Sequence, residues 1–240
     1  MGLVAKHLVK LYNKKPVVDG VSIDVRPGEV VGLLGPNGAG KTTTFYLIVG
    51  LIRPQNGSIH LGKDEITNLP MYIRARKGIG YLAQEPSVFR KLTVAQNIQA
   101  VLETVGLARS DIAVKVASLL EELGLGDLAD QRADRLSGGE ARRLEITRAL
   151  ARDPKFLLLD EPFAGIDPKA VEDIQGIISN LKQRKIGLLV TDHNVRETLA
   201  ITDRSYIMTH GKILTSGTPE ELAANAEVRR IYLGERFRLD

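Results

Sequence analysis

Three short stretches carry residues that could do chemistry. In "GPNGAGKTT", Gly35, Pro36, Asn37, Gly38, Ala39 and Gly40 lead into Lys41, Thr42 and Thr43. This matches the pattern G-x-x-x-x-G-K-[ST], a loop for nucleotide phosphates. Glycines let backbone N–H groups approach phosphate oxygens, the lysine reaches the outer phosphates, and the Thr42 hydroxyl is a Mg²⁺ ligand. In "FLLLDEP", an apolar run ends in Asp160 and Glu161. Adjacent carboxylates can divide labour there, Asp160 orienting the Mg²⁺ shell and Glu161 polarising an attacking water. In "RLSGGEARRLEITRAL", Ser137, Gly138 and Gly139 open an amphipathic helix. Its unpaired N–H groups and partial positive charge make a second anion site.

Single residues join these motifs. His193 closes the run "GLLVTDHN" and can donate to a terminal phosphate, neutral or protonated. Gln84 follows "IGYLA" and can hold water or Mg²⁺ at its amide oxygen. Tyr12 lies where an aromatic face could stack on an adenine, though a lone aromatic suits a core equally well. His7, His60 and His210 have no comparable setting and read as surface or turn residues.

Such residues need elements that converge on one edge. "EVVGLLG", "IGYLAQ", "KFLLLDEP" and "IGLLVTDH" are short aliphatic runs bounded by turn residues. They suit strands buried on both faces of a parallel sheet, with helices between them in an α/β chain. Ligands of such sheets bind beyond the C-terminal ends of the strands. "KTTTFYLIVGLI" is the helix after the phosphate loop, and "DPKAVEDIQGIISNLKQRK" has Asp167 as its N-cap and Pro168 in its first turn. Between Gln84 and Arg152 three helical stretches follow one another without a strand, which predicts an inserted helical subdomain over about 85–152. The N-terminal "LVAKHLVKLYNKKPVVDGVSIDVRPGE" and "GSIHLGKDEI" read as antiparallel strands, and "DRSYIMTHGKILTSG" as a hairpin turning at His210-Gly211. With no repeat or linker, residues 1–240 read as one domain with a tail from about 226.

Composition narrows the class further. The chain is 43% apolar and 26% charged, as ordinary globular domains are. No run approaches the roughly 18 apolar residues of a membrane span. The opening "MGLVAKHLVKLYNKK" lacks a secretory core and cleavage site, and Lys6 stands where a myristoylation motif needs Ser or Thr. The absence of cysteine excludes disulfides and thiolate metal sites. A net charge of +4 with dispersed basic residues leaves nucleic acid or an anionic membrane surface open, but dispersed charge is more often a solvated face.

Taken in order, "GPNGAGKT", Gln84, "LSGGE", "FLLLDEP", Asp167 and His193 resemble the ATP-binding subunit of ABC transporters over essentially the whole chain. The resemblance implies a phosphate-loop core with a parallel sheet, an N-terminal antiparallel β subdomain and an inserted helical signature subdomain. ATP and Mg²⁺ are then expected, with Tyr12 stacking on adenine, Gln84 as coupling glutamine, and Thr42, Gln84 and Asp160 around the metal. Glu161 would be the general base, His193 the γ-phosphate switch and Asp167 part of a dimer-contact loop. In this family the signature caps ATP held by a second chain. Ser137, Gly138 and Gly139 would thus complete a partner's site, and two head-to-tail copies would sandwich two ATP. Glu140 departs from the Gln of many relatives; the Ser and Gly amides are expected to leave phosphate binding intact.

A closer resemblance is carried by "LSGGEARRLEITRALARDPKFLLLDEPFAGIDP", "TDHNVRETL" and "VRRIYLGERFRL". It is to the ATPases of lipopolysaccharide export in Gram-negative bacteria. It implies a homodimer on two integral membrane subunits at the cytoplasmic face of the inner membrane, attached through those partners. The ATPases of branched-chain amino-acid importers are the alternative, on similar "EPSVFRKLTVAQN" segments. In that stretch Phe89 beside Arg90 and Lys91 suits a docking groove for a membrane partner, or burial under the helices. In the tail, Ile231, Leu233, Phe237 and Leu239 are expected to pack back, leaving Arg229, Arg230, Arg236 and Arg238 solvated. A DNA-repair ATPase would need a long heptad coiled coil between the halves, and a translation-factor ATPase two cassettes. A module that only senses nucleotide would lose Glu161.

Overall fold

Two sheets share the work of positioning these residues. The computed structural model describes residues 2–234 and 237–239. Strands β1 (Leu3–Tyr12), β2 (Lys15–Val25), β4 (Asn56–Leu61) and β5 (Asp64–Glu65) form an antiparallel sheet in the order β2-β1-β4-β5. Strands β3 (Val30–Leu34), β6 (Ile79–Leu82), β7 (Phe156–Asp160), β8 (Gly187–Thr191), β9 (Arg204–Thr209) and β10 (Lys212–Gly217) form the second, ordered β10-β9-β3-β8-β7-β6. Its strands run parallel except for the β9–β10 hairpin. The expected α/β class holds. His210 and Gly211, which turn that hairpin, have φ of 47° and 80°, as a two-residue type I′ turn requires.

Why the aliphatic runs become central strands is visible in β7. Leu157 and Leu159 face one apolar cluster, Phe156 and Leu158 the opposite one, and all four are buried. The first cluster joins the sheet to the helices between β6 and β7, namely α3 (Val94–Leu102), α4 (Arg109–Glu122) and α5 (Gly138–Leu150). The second joins it to α1 (Lys41–Val49) and to the antiparallel sheet. The short α2 (Met71–Arg76) has no comparable apolar stripe; it is held by Arg74, which is 1% exposed. Its guanidinium donates to the carbonyls of Leu47 (2.7 Å) and Ile48 (2.6 Å) at the end of α1, and to those of Thr67 and Leu69. Burial lowers its pKa to about 10.

Helix α6 (Pro168–Gln183) begins as read from the sequence: the Asp167 carboxylate accepts the Ala170 N–H at 3.1 Å, and Pro168 is the first helical residue. Helices α7 (Val195–Ile201) and α8 (Pro219–Ala224) flank the last two strands. Beyond them, Leu233, Phe237 and Leu239 pack partly buried against a cluster that includes Leu34, Ile207 and Val228. Ile231 does not follow them; it is 37% exposed, while Tyr232 and Leu233 take the inward positions of that turn. Arg230 and Arg238 are exposed, whereas Arg229 is half-buried and donates to the Ala223 carbonyl. Arg236 lies outside the described residues. No helix among the described residues is long and apolar enough to cross a membrane.

Candidate active site

The phosphate loop leaves the buried end of β3 and enters α1. A Cβ at Gly35 would lie 2.0 Å from the Met208 carbonyl oxygen, so only glycine fits that exit. The first N–H groups of α1 have no partners inside the helix and carry the positive end of its dipole. Lys41 folds over them: its ammonium donates to the carbonyls of Gly35 (2.7 Å) and Pro36 (3.1 Å). Burial pulls the Lys41 pKa below its ordinary value, against the opposing pull of Glu161 and Asp160. The result is a recess of about 330 Å³ bordered by Val17, Asn37 to Thr43, Gln84, Glu161 and His193.

Of the two carboxylates at the C-terminal end of β7, Glu161 borders this recess and Asp160 is buried beside it. Asp160 is fully buried; its Oδ2 accepts the Tyr81 hydroxyl at 3.3 Å, while Oδ1 has no hydrogen-bond partner among the described residues. Burial first, then the neighbouring Glu161, raises the Asp160 pKa to about 6. Glu161 has φ of 52°, and its N–H donates to the Thr191 carbonyl at 2.7 Å, which turns the side chain out of the strand. Its Oε1 lies 2.6 Å from His193 Nε2, and its Oε2 accepts from Gln84 Nε2 at 2.8 Å. Three residues from the ends of three strands thus meet, although 77 positions separate Gln84 from Glu161. The set can cradle an anion, offer hard oxygen ligands and hold a base beside them.

Two supporting residues escaped the motif reading. Arg142 is 6% exposed and donates to the carbonyls of Ala83, Asp160, Glu161 and Pro162, and to Glu145 Oε2 at 2.9 Å. It ties the segment before Gln84 to the carboxylate pair. Its place on α5, in line with buried Gly139, Ile146 and Leu150, is the signal that could have found it. Asp192 accepts from the N–H groups of Phe163 (2.9 Å) and Asn194 (2.8 Å), joining the loops that carry Glu161 and His193. Burial raises its pKa.

The second anion motif lies elsewhere. Ser137 caps α5, and it borders a separate recess of about 270 Å³ with Gly139, Glu140, Arg143, Asp167 and Lys169 among its walls. No described residue lines both recesses. A Cβ at Gly139 would come within 2.5 Å of the Ala170 Cβ, so the glycine lets α5 approach α6. Glu140 Oε2 accepts both the N–H (2.7 Å) and the hydroxyl (2.8 Å) of Ser137. Those bonds hold the Glu140 pKa below its usual value. Gly138 is exposed and does not line this recess.

The remaining candidates are surface residues. Tyr12 is 47% exposed at the end of β1, with the Lys10 ammonium 5.5 Å from its ring centroid, so it is not core; it does not border the phosphate recess. Phe89 is 48% exposed under the Arg148 guanidinium, 4.4 Å from its centroid, and is not buried under the helices. Asn97 fixes its backbone by bonds to both the N–H and the carbonyl, and Arg90 beside it is exposed.

A family model described as ABC transporter matches residues 18–164, and one described as branched-chain amino acid ATP-binding cassette transporter matches residues 212–238. The lipopolysaccharide export system ATP-binding protein LptB of Acidithiobacillus ferridurans is 56% identical over 99% of this chain and 98% of its own length. The protein of that name from Escherichia coli K12 is 51% identical over 99% of both chains. Among solved structures, an ATP-binding cassette of an ABC transporter in its ADP conformation aligns with a TM-score of 0.88 at 30% identity, covering 98% of this chain and 100% of that one. A dimeric bacterial cassette at 22% identity has the same fold, with a TM-score of 0.80 over 90% of this chain and 98% of its own. With a family match over more than half its length and these full-length relatives, the chain belongs to the ABC transporter family as an ATP-hydrolysing, nucleotide-binding cassette.

Proposed function

We propose that the chain is the motor subunit of a lipopolysaccharide exporter, hydrolysing ATP as a head-to-tail homodimer on two integral membrane subunits. It would sit on the cytoplasmic face of the inner membrane through those partners. The observation that carries the hydrolytic part is Glu161, held at the phosphate recess between Gln84 and His193. A carboxylate there would take a proton from an attacking water, and His193 would donate to the terminal phosphate. Lys41 and the loop N–H groups would hold the phosphates, and Tyr12 would lie under the adenine. The cargo follows from the full-length relatives named for lipopolysaccharide export; among these comparisons the importer reading has the match at residues 212–238.

Mg²⁺ fits the donor set. Asp160 keeps one buried oxygen without a partner, Gln84 keeps its amide oxygen after giving its N–H to Glu161, and Thr42 borders the recess. Among the described residues no group of three or more His, Asp or Glu could hold a metal unaided; a Mg²⁺ site of one carboxylate completed by phosphates needs none. When bound, the ion would neutralise charge developing on the phosphate oxygens.

The split arrangement is supported by the separation of the two recesses. Ser137, Gly138 and Gly139 at the N-terminus of α5 would form an anion cradle remote from this chain's own phosphate loop. A second copy would supply one, with Asp167 at the meeting surface. Phe89 and Arg90 are the proposed contact with the membrane subunits.

A tagged Glu161→Gln chain, captured from solubilised native membranes with Mg-ATP, tests the whole reading by mass spectrometry of what comes with it. Two membrane subunits of the lipopolysaccharide-export type are expected. Permeases with a substrate-binding protein would shift the assignment to an importer, and a catch of soluble proteins alone would end the transport reading.

A further inference from the structure

The signature recess already contains an anion. Glu140 Oε2 takes the two donors that Ser137 offers, its N–H at 2.7 Å and its hydroxyl at 2.8 Å, while Ser137 Oγ accepts the Glu140 N–H at 3.3 Å. A serine has one hydroxyl proton. While it points at Glu140 it cannot also point at a phosphate oxygen. The Glu140 carboxyl is held below its usual pKa, chiefly by the Ser137 N–H and hydroxyl, so it is charged at neutral pH. Its charge sits in the first turn of α5, where the helix dipole would otherwise favour an incoming anion. Asp167 and Asp173 add negative charge to the same recess, against Arg143 and Lys169. Arg143 lies 3.4 Å from Asp173, which offsets part of its charge.

We propose that Glu140 is a built-in competitor for the signature: its carboxylate occupies the Ser137 donors, and the terminal phosphate of ATP carried by a second copy must displace it before the dimer closes. The inference rests on the reading that the signature acts in trans. It makes Glu140 a residue that sets how much ATP closure requires. It also accounts for a glutamate where an amide would complete the same cap. Ser-x-x-Gln forms a capping box as well as Ser-x-x-Glu does, so the charge is not needed to start the helix.

The test is ATP-driven dimerisation of the full chain in a Glu161→Gln background, followed by size-exclusion chromatography across a Mg-ATP titration. Adding Glu140→Gln keeps the cap and removes the charge. It should lower the ATP concentration for half-maximal dimer by about tenfold, the equivalent of about 1.4 kcal/mol. Adding Glu140→Ala, which removes both cap and charge, should also lower it. If the residue only caps the helix, Glu140→Gln will match the parent and Glu140→Ala will need more ATP; either result overturns the proposal. Ser137→Arg separates the two ideas. If it leaves dimerisation intact, the trans reading itself falls, and the competitor with it. If it abolishes the dimer while Glu140→Gln changes nothing, only the competitor is wrong.

Discussion

Replacing Asp160 by Asn should stabilise the nucleotide-free chain while removing its response to Mg-ATP. The wild-type carboxyl is fully buried with Oδ1 unpartnered, and its pKa is raised from 3.8 to about 6 by burial and by Glu161. A shift of that size means the ionised form costs the folded state about 3 kcal/mol at neutral pH. The Asn side chain brings a buried N–H group of its own, at a cost of about 1–2 kcal/mol, so the net gain is about 1–2 kcal/mol. The pH dependence follows from the direction of the shift. Between the unfolded value of 3.8 and the folded value of about 6, the native state keeps a proton that the unfolded chain has lost. Wild-type stability therefore falls as pH rises through that window and levels above it. The gap in favour of Asp160→Asn should open between those two values and then hold. Urea denaturation followed by far-UV circular dichroism measures it, since the chain has no tryptophan to report. A variant no more stable than wild type at neutral pH, or a gap independent of pH, would refute the electrostatic argument. In the same samples Mg-ATP should raise the wild-type midpoint and leave that of the variant nearly unchanged.

Glu161→Gln should bind ATP yet lose about 10²–10⁴-fold in phosphate release, the range for removing a general base; near-normal turnover would remove Glu161 from that role. Mixing Ser137→Arg with Lys41→Ala chains should restore activity absent from either alone, because each mixed dimer keeps one complete site. An ATPase assay without recovery, on mixed dimers verified by dual-tag purification, would count against the split site. Arg142→Met leaves Glu145, itself 6% exposed, without its 2.9 Å partner and frees four carbonyls. It should destabilise the chain by about 3–5 kcal/mol, the cost of breaking a buried pair, read as a lower urea midpoint.

Much of the site is legible in the sequence because its parts are local. A phosphate loop is a run of neighbouring residues with fixed backbone demands, and "DP" before α6 or "HG" between β9 and β10 states a cap or a turn in two letters. Aliphatic runs announce buried strands because both faces of a central strand must be apolar, as Phe156 to Leu159 demonstrate. Spacing alone could not say that Arg74 would cap α1 from a helix with no apolar stripe, or that Tyr12 and Phe89 would both lie at the surface. Those outcomes depend on what packs alongside.

From its sequence alone, then, the chain's class, its strands and the residues proposed to hold phosphate, polarise water and form the signature could be read, since each is set by side-chain type and short-range geometry. Only the tertiary structure decided who meets whom. The strand order puts β8 beside β7 and β7 beside β6, so Gln84, Glu161 and His193 share one edge while Ser137 is sent to another recess. Strand order and register come from long-range packing of the whole core, and no local run of residues encodes them.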